Sequence, residues 1–167
     1  MIHALSRRDA LTFGGLALAL PLALKLDGPA VAKIATKFEV TLTPAQWKAR
    51  LSDDAYAVLR EEGTERPGSS PLDREKRRGI FSCAGCKLPL FSSTTKFDSG
   101  TGWPSFYAPL TNAVGTTTDR TLMMTRIEVH CRRCGGHLGH VFDDGPPPTG
   151  KRYCMNGVAM TFAPAKA

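Results

Sequence analysis

The sequence has no uncharged apolar run of the roughly 20 residues that a helix needs to cross a bilayer. The longest such run covers residues 10–24 only. The sequence also lacks the bias of disordered or fibrous chains, because 16 Gly, 12 Pro and a hydrophobic share of 42% are ordinary for a globular protein. It has no internal repeat beyond two short cysteine pairs. These absences leave one globular domain, large enough to have its own core.

Clustered positive charge is lacking as well. The net charge is +7, but Lys and Arg are scattered apart from "DREKRRG" at 73–79, where both signs mix. A nucleic-acid surface needs basic side chains concentrated on one face. We therefore expect no nucleic-acid partner and interpret 73–79 as a solvated turn.

The first residues have the layout of an export signal. An arginine pair at 7–8 precedes the apolar run, and an A-x-A site ends at Ala32. This order is typical of a bacterial secretory signal, and paired arginines indicate the twin-arginine route, which is an address and not an anchor. We predict a signal peptide at 1–32 and a mature domain at 33–167 in the periplasm, without stable membrane insertion after cleavage. An uncleaved membrane anchor is the alternative.

Local patterns predict helices first and strands afterwards. Two short helices are predicted within 44–62. The first begins at a capping box in "TPAQ" (43–46). The second begins at a cap at Ser52 and ends at Gly63. Short β-type runs between turns follow, the longest alternating over 121–131. The predicted fold class is mainly β: two antiparallel sheets in a compact β-sandwich or barrel-like domain, with short N-terminal helices and a four-cysteine zinc site.

Four of the five cysteines form two C-x₂-C pairs, with 44 residues between the pairs. Two such pairs can surround one ion with four thiolates and leave no open position, which is the pattern of structural zinc. Two disulfides, or a ligand set that includes His137 or His140, are the alternatives. The predicted zinc ligands are Cys83, Cys86, Cys131 and Cys134.

The fifth cysteine, Cys154, has no partner in this scheme. On a strand it shares one side with Arg152 and Asn156, which is not the pattern of a core stripe. His137 and His140 follow the second cysteine pair and supply proton donors. We interpret Cys154 as a reactive thiol, with a buried, inert cysteine as the alternative.

Longer motifs resemble the B-type methionine sulfoxide reductases. They are "GTERPGSSPL" (63–72), "KFDSGTGWPSF" (96–106) and "HLGHVFDDGPPPTGKRYCMN" (137–156), together with the two cysteine pairs. The similarity runs from about residue 42 to 162. It implies a peptide-methionine (R)-S-oxide reductase with structural zinc, acting on oxidised methionine in proteins or peptides. We expect a monomer.

The resemblance also implies roles for single residues. Cys154 matches the nucleophile, which attacks the sulfoxide sulfur and becomes a sulfenic acid. His137, His140 and Asn156 match positions that bind or protonate the departing oxygen, and Trp103 matches the aromatic residue that packs on the S-methyl group. Positions that support or wall the site are Asp144, Arg152, Phe106 and Phe142.

One position departs from the family pattern. Thr101 stands where many relatives carry a second cysteine, which forms a disulfide that thioredoxin reduces. The sequence has no further cysteine outside the predicted zinc site. We therefore predict that an external, thioredoxin-like dithiol reduces the Cys154 sulfenic acid directly, or after a small thiol has capped it.

Two other classes of protein compete with the reductase. A zinc-ribbon-like module that binds nucleic acid or protein would use the cysteine pairs, but it leaves the Cys154 motif unexplained. A thiol-disulfide oxidoreductase would need a C-x-x-C motif at Cys154, which the sequence lacks.

Overall fold

The computed structural model describes residues 38–166; the predicted signal peptide and its cleavage site lie outside this range. Two short helices, α1 (Pro44–Arg50) and α2 (Asp53–Glu61), confirm the predicted pair. The capping box of α1 is formed in full, because the Thr43 and Gln46 side chains each accept from the other's backbone N–H. The left-handed residue that ends α2 is Glu62 (φ 57), one position before the predicted terminator Gly63.

Strands dominate the rest of the described chain, which confirms the mainly β prediction. Within residues 38–166 nine strands form two antiparallel sheets, with orders β2-β1-β9 and β3-β4-β8-β7-β6-β5. The strands are β1 (Gly79–Cys83), β2 (Pro89–Ser92), β3 (Lys96–Phe97), β4 (Ser105–Phe106), β5 (Val114–Asp119), β6 (Arg126–Cys131), β7 (His137–Phe142), β8 (Arg152–Met155) and β9 (Met160–Pro164).

The strand predicted over 121–131 is shorter than its alternating pattern suggests. β6 begins at Arg126, which pairs with Asp119 as the last rung of the β5–β6 hairpin. Beyond this rung Thr121–Met123 form a 3₁₀ turn. The turn is held by Asp119 Oδ1, which accepts from the Thr121 backbone N–H (2.8 Å) and hydroxyl (2.7 Å). A local side-chain bond of this kind replaces the ladder where no partner strand continues.

Aromatic rings join the two sheets. Phe81 of β1 and Phe91 of β2 belong to the three-stranded sheet and pack on Phe106 of the six-stranded sheet. The ring centroids lie 5.0 and 4.4 Å apart, and all three side chains are fully buried. Phe106 therefore anchors the core at the strand that neighbours Cys154.

The helices pack beside the cysteine pairs. Trp47 of α1 and Leu59 of α2 are buried, and Arg60 Nη1 donates to the Cys134 carbonyl at 3.0 Å. Within residues 38–166 no helix is both long and apolar enough to cross a bilayer.

Candidate active site

Cys154 lies in the middle of the six-stranded sheet. On β8 it pairs with Ser105 of β4 on one side and with His140 of β7 on the other. Its side chain is half-buried, and its Sγ lies 3.9 Å from the Thr101 Oγ1. The alternation of β8 directs its neighbours Tyr153 and Met155 to the opposite face, toward the core. The Cys154 thiol is therefore not sealed in the core.

A cavity of about 150 Å³ opens beside Cys154. This is the space of a few water molecules, enough for one unbranched side chain. A larger cavity of about 380 Å³ is lined by residues of 73–76 and 93–98 and contains no cysteine or histidine. The chemistry favours the smaller cavity, where five predicted site residues meet: Trp103, His140, Phe142, Cys154 and Asn156.

Glu65 forms hydrogen bonds to several residues in and beside the wall of this cavity. Its backbone carbonyl accepts from the Trp103 indole N–H at 3.1 Å, and its backbone N–H donates to the Asn156 side-chain oxygen at 2.9 Å. Its carboxylate accepts from the backbone N–H groups of Gly157 (2.6 Å) and Val158 (3.0 Å). One residue thus fixes the indole, the amide and the chain that follows Cys154.

The Asn156 amide is oriented at both ends. Besides its bond to Glu65, it donates from Nδ2 to the Leu138 carbonyl at 3.1 Å. A side-chain amide carries two N–H groups, and only one of them bonds within residues 38–166.

His140 is held by a carboxylate. Its Nε2 lies 2.9 Å from Asp119 Oδ2, which also accepts from Arg126 Nη2 at 2.6 Å. Hydrogen bonds from Thr121, and then from His140 and Arg126, hold the pKa of Asp119 well below its usual range, so Asp119 is an anion. Burial lowers the pKa of His140, and the Asp119 bond opposes that shift.

His137 is the neighbour of His140 on the side away from the cavity. It is almost fully buried, and its ring is 5.4 Å from the His140 ring, edge-on. Its Nδ1 bonds to Glu128 Oε1 at 2.9 Å, and this bond holds the pKa of Glu128 below its usual value. The His137 Nε2 has no hydrogen-bond partner among residues 38–166. The two histidines therefore form one cluster, of which His140 lines the cavity.

Arg152 brings a positive charge to Cys154. Its guanidinium forms a bidentate pair with Asp144, with both distances 2.9 Å, and lies 4.5 Å over the Phe142 ring. Burial raises the pKa of the Cys154 thiol, while a hydrogen bond from Thr101 and the Arg152 charge oppose the shift. The resting thiol is therefore mainly protonated at neutral pH.

Phe106 does not line the cavity, contrary to the prediction from the sequence. Neighbouring residues of a strand point to opposite faces. Since Ser105 shares the face of Cys154, Phe106 faces the core, where it stacks on Phe91. The predicted partner, Phe142, does line the cavity.

The other four cysteines form one cluster. Their Sγ atoms all lie within 4.8 Å of one another, with Cys83–Cys134 at 3.8 Å and Cys86–Cys131 at 3.5 Å. A zinc tetrahedron with Zn–S bonds of about 2.3 Å requires S···S distances of about 3.8 Å. No disulfide links any of the five cysteines, all of which lie in the described range.

The four thiols influence one another's ionisation. Hydrogen bonding among the sulfurs raises the pKa of Cys83 and Cys134 and lowers the pKa of Cys86 and Cys131. Four thiolates at this spacing would repel one another, and a bound cation would offset that repulsion. His137 and His140 bond to carboxylates instead, and within residues 38–166 the group that fits a metal ion consists of the four cysteines.

Comparison with known proteins decides between the competing classes. The model of the SelR domain matches residues 51–164. A peptide methionine sulfoxide reductase MsrB of Agrobacterium fabrum is 50% identical over 130 residues, which are 77% of this chain and 96% of that protein. The MsrB of Methanosarcina barkeri is 55% identical over 118 residues, 70% of this chain and 83% of that protein. The chain belongs to the MsrB family. This membership disfavours both the zinc-ribbon module and the thiol-disulfide oxidoreductase.

The segment shared with the MsrB family contains both cysteine pairs and the whole cavity wall. Four contributors to the site were missed by the motif analysis. Arg126 and Glu128 lie two positions apart, on one face of β6. Two charged side chains on one face of a strand could have indicated a functional surface. Glu65 lies in the quoted motif at 63–72, but its role depends on partners about 90 residues away. The four missed residues are Glu65, Asp119, Arg126 and Glu128.

Proposed function

We propose that this chain reduces methionine (R)-sulfoxide in peptides and proteins to methionine. One observation carries the proposal: in a member of the MsrB family, a half-buried thiol shares a cavity with an indole, an oriented amide and a carboxylate-bound imidazole. A thiol supplies the electrons, an aromatic face suits the S-methyl group, and the polar groups suit the oxygen.

The reaction begins when Cys154 Sγ attacks the sulfoxide sulfur. The S–O bond breaks only as a proton reaches the oxygen, because an unprotonated oxide is a poor leaving group. One thiol and one sulfoxide become one thioether and one sulfenic acid. The methionine sulfur gains the two electrons that Cys154 loses.

Two groups are placed to assist the departing oxygen. Asp119 engages His140 at Nε2, which fixes the ring and favours its protonated form. The second N–H of the Asn156 amide, which has no partner in the described part of the chain, is a further donor. The thiol itself must lose a proton, and the nearby Arg152 charge stabilises the thiolate.

The cavity distinguishes epimers by geometry. The S-methyl group packs on Trp103, whose indole is fixed by Glu65. The oxygen turns to the side of His140 and Asn156. With these two groups placed, the two epimers exchange the positions of the sulfur lone pair and the rest of the side chain, so only one epimer directs its peptide out of the cavity.

We assign zinc to the four-cysteine cluster, in a structural role. Four thiolates close a tetrahedral shell, so no position is left for substrate. Zinc would hold the two sheets' loops and α2 together without taking part in the redox step.

Three further proposals concern location, reductant and oligomeric state, and the sequence supports the first two. An arginine pair, a short apolar run and an A-x-A site support export of the 33–167 domain by the twin-arginine route to the periplasm. Thr101, in place of a second cysteine, supports reduction of the sulfenic acid by an external dithiol. The proposed working form is a monomer.

The proposed function is tested by reduction of two synthetic peptides, one with each methionine sulfoxide epimer, in the presence of dithiothreitol. We expect the R peptide to lose its sulfoxide oxygen and the S peptide to persist. Equal rates for both epimers, or reduction of neither, would overturn the proposal.

Thr101→Cys is expected to create an intramolecular recycling step. The present hydroxyl lies 3.9 Å from the Cys154 Sγ, so a sulfur in its place needs only a small shift to form a disulfide. After one turnover without reductant, intact-mass and peptide analysis should show a disulfide between Cys154 and the introduced cysteine. Thr101→Ser is the matched control and should form none. A disulfide of Cys154 in the native chain after turnover would contradict the one-cysteine mechanism.

Asp119→Asn is expected to shift the pH dependence of the reaction. Burial lowers the pKa of His140 below 6.5, and Asp119 opposes the shift, while Arg126 and His137 reinforce it. Loss of the carboxylate therefore lowers this pKa further, and less of the protonated imidazole is present at neutral pH. We expect kcat/KM to fall about 10- to 100-fold, the range found when carboxylates that orient metal-bound histidines are removed.

The diagnostic readout for Asp119→Asn is the alkaline limb of the kcat/KM profile, which should move to lower pH. Asp143→Asn is the matched control, because Asp143 is exposed and pairs with Lys151 away from the cavity. An unmoved alkaline limb would show that Asp119 does not act through His140.

A further inference from the structure

The tip of the β5–β6 hairpin presents two methionines to solvent. The exposed fraction is 104% for Met123 and 51% for Met124, whereas Met155 and Met160 are buried at 0% and 5%. Met123 has a positive φ of 57 in the 3₁₀ turn. Peroxides reach an exposed thioether and convert it into a sulfoxide, while a buried one is protected by its surroundings. Met123 is therefore the preferred target of oxidation among these residues.

The same hairpin builds one side of the candidate site. Its last rung joins Asp119 to Arg126, Arg126 lines the cavity, and Asp119 binds His140. Met123 does not line this cavity, and the bonds of Asp119 to Thr121 hold its turn in place. A second molecule can receive the tip with its own site intact.

We propose that Met123 is a site of reversible oxidation and that its R-sulfoxide is a substrate for a second copy of this chain. The inference rests on the proposed function. Hydrogen peroxide transfers one oxygen to the Met123 thioether and leaves as water. Cys154 of the second copy takes up that oxygen as a sulfenic acid and restores the thioether. Dithiothreitol returns the sulfenic acid to the thiol, with release of water and the cyclic disulfide.

The repair is tested with isotope-labelled Cys154→Ser chain as the substrate. It is treated with hydrogen peroxide, cleared of peroxide and mixed with a trace of native chain and dithiothreitol. The tryptic peptide 121–126 holds both exposed methionines, and fragment masses assign the oxygen. We expect oxidation at Met123 before Met155 and Met160. Native chain should then remove about half of the oxygen, because an exposed sulfur gives both epimers and one enzyme serves one epimer.

Three controls make the outcome decisive. Met123→Leu in the labelled chain should abolish repair at that position, and labelled Cys154→Ser chain alone should show none. A tenfold dilution of oxidised native chain should slow repair per molecule about tenfold, as for any bimolecular step; a rate independent of concentration would overturn the second-copy inference.

A synthetic (R)-sulfoxide peptide in the same tube distinguishes failure of this inference from failure of the proposed function. If native chain reduces the peptide but not Met123, or if Met123 oxidises no faster than the buried methionines, this inference is wrong and the proposed function stands. If the peptide also persists, the proposed function fails and this inference fails with it.

Discussion

Cys154→Ser is expected to lower methionine sulfoxide reduction at least about 10³-fold, as removal of a nucleophile does in other enzymes. A serine hydroxyl fits the half-buried position beside Thr101, but it is a far weaker nucleophile and cannot take up the oxygen as a sulfenic acid. The measurement is the initial rate of reduction of a methionine (R)-sulfoxide peptide with dithiothreitol in excess. The expected residual rate is that of dithiothreitol alone.

Cys154→Ser should lower the activity without changing the metal site or the stability of the fold. Cys154 lies outside the four-cysteine cluster, so metal content and thermal unfolding should match those of the native chain. Thr101→Ser, which changes the neighbour of Cys154 and keeps its hydroxyl, should retain most of the activity. Substantial activity in Cys154→Ser would contradict the nucleophile assignment.

Removal of the metal is expected to have the largest effect on stability. Structural zinc contributes about 10–16 kcal/mol of apparent binding free energy in small domains, and the free energy of unfolding of a whole domain is about 5–15 kcal/mol. The cluster joins the loop after β1 to the loop before β7, and Arg60 of α2 bonds to the Cys134 carbonyl. Without the ion, four crowded sulfurs have no compensating charge.

Cys86→Ser tests this directly, because Cys86 is the half-buried member of the cluster and serine fits its space. We expect loss of bound zinc and loss of a cooperative thermal transition, and a strong chelator should do the same to the native chain. Cys154→Ser is the matched control and should keep one metal ion per chain. A Cys86→Ser chain with native metal content and an unchanged Tm would overturn the structural assignment.

Features whose determinants are local could be predicted from the sequence. The capping box at 43–46 involves neighbouring residues only, and α1 begins there. Two C-x₂-C pairs have few uses other than a shared metal, and their sulfurs meet. The motifs at 96–106 and 137–156 carried the family pattern, and five of their residues line one cavity.

Features set by distant partners could not be predicted in this way. Side-chain character alternates along 121–131 in the sequence, which predicted one long strand. β6 starts only at Arg126, because β5 offers no pairing partner beyond Asp119. Phe106 was placed on the wrong face because the orientation of β4 depends on its neighbour β8. Glu65 and Asp119 act through bonds to segments far along the chain, which no periodic pattern records.

The most direct test of the proposed chemistry is a single turnover of native chain with a methionine (R)-sulfoxide peptide and no reductant, followed by mass analysis. We expect one peptide reduced per chain and one oxygen added at Cys154, as a sulfenic acid that dimedone labels, with the four cluster cysteines unmodified. Reduction of the peptide without oxidation of Cys154, or a disulfide from Cys154 to a cluster cysteine, would contradict the mechanism.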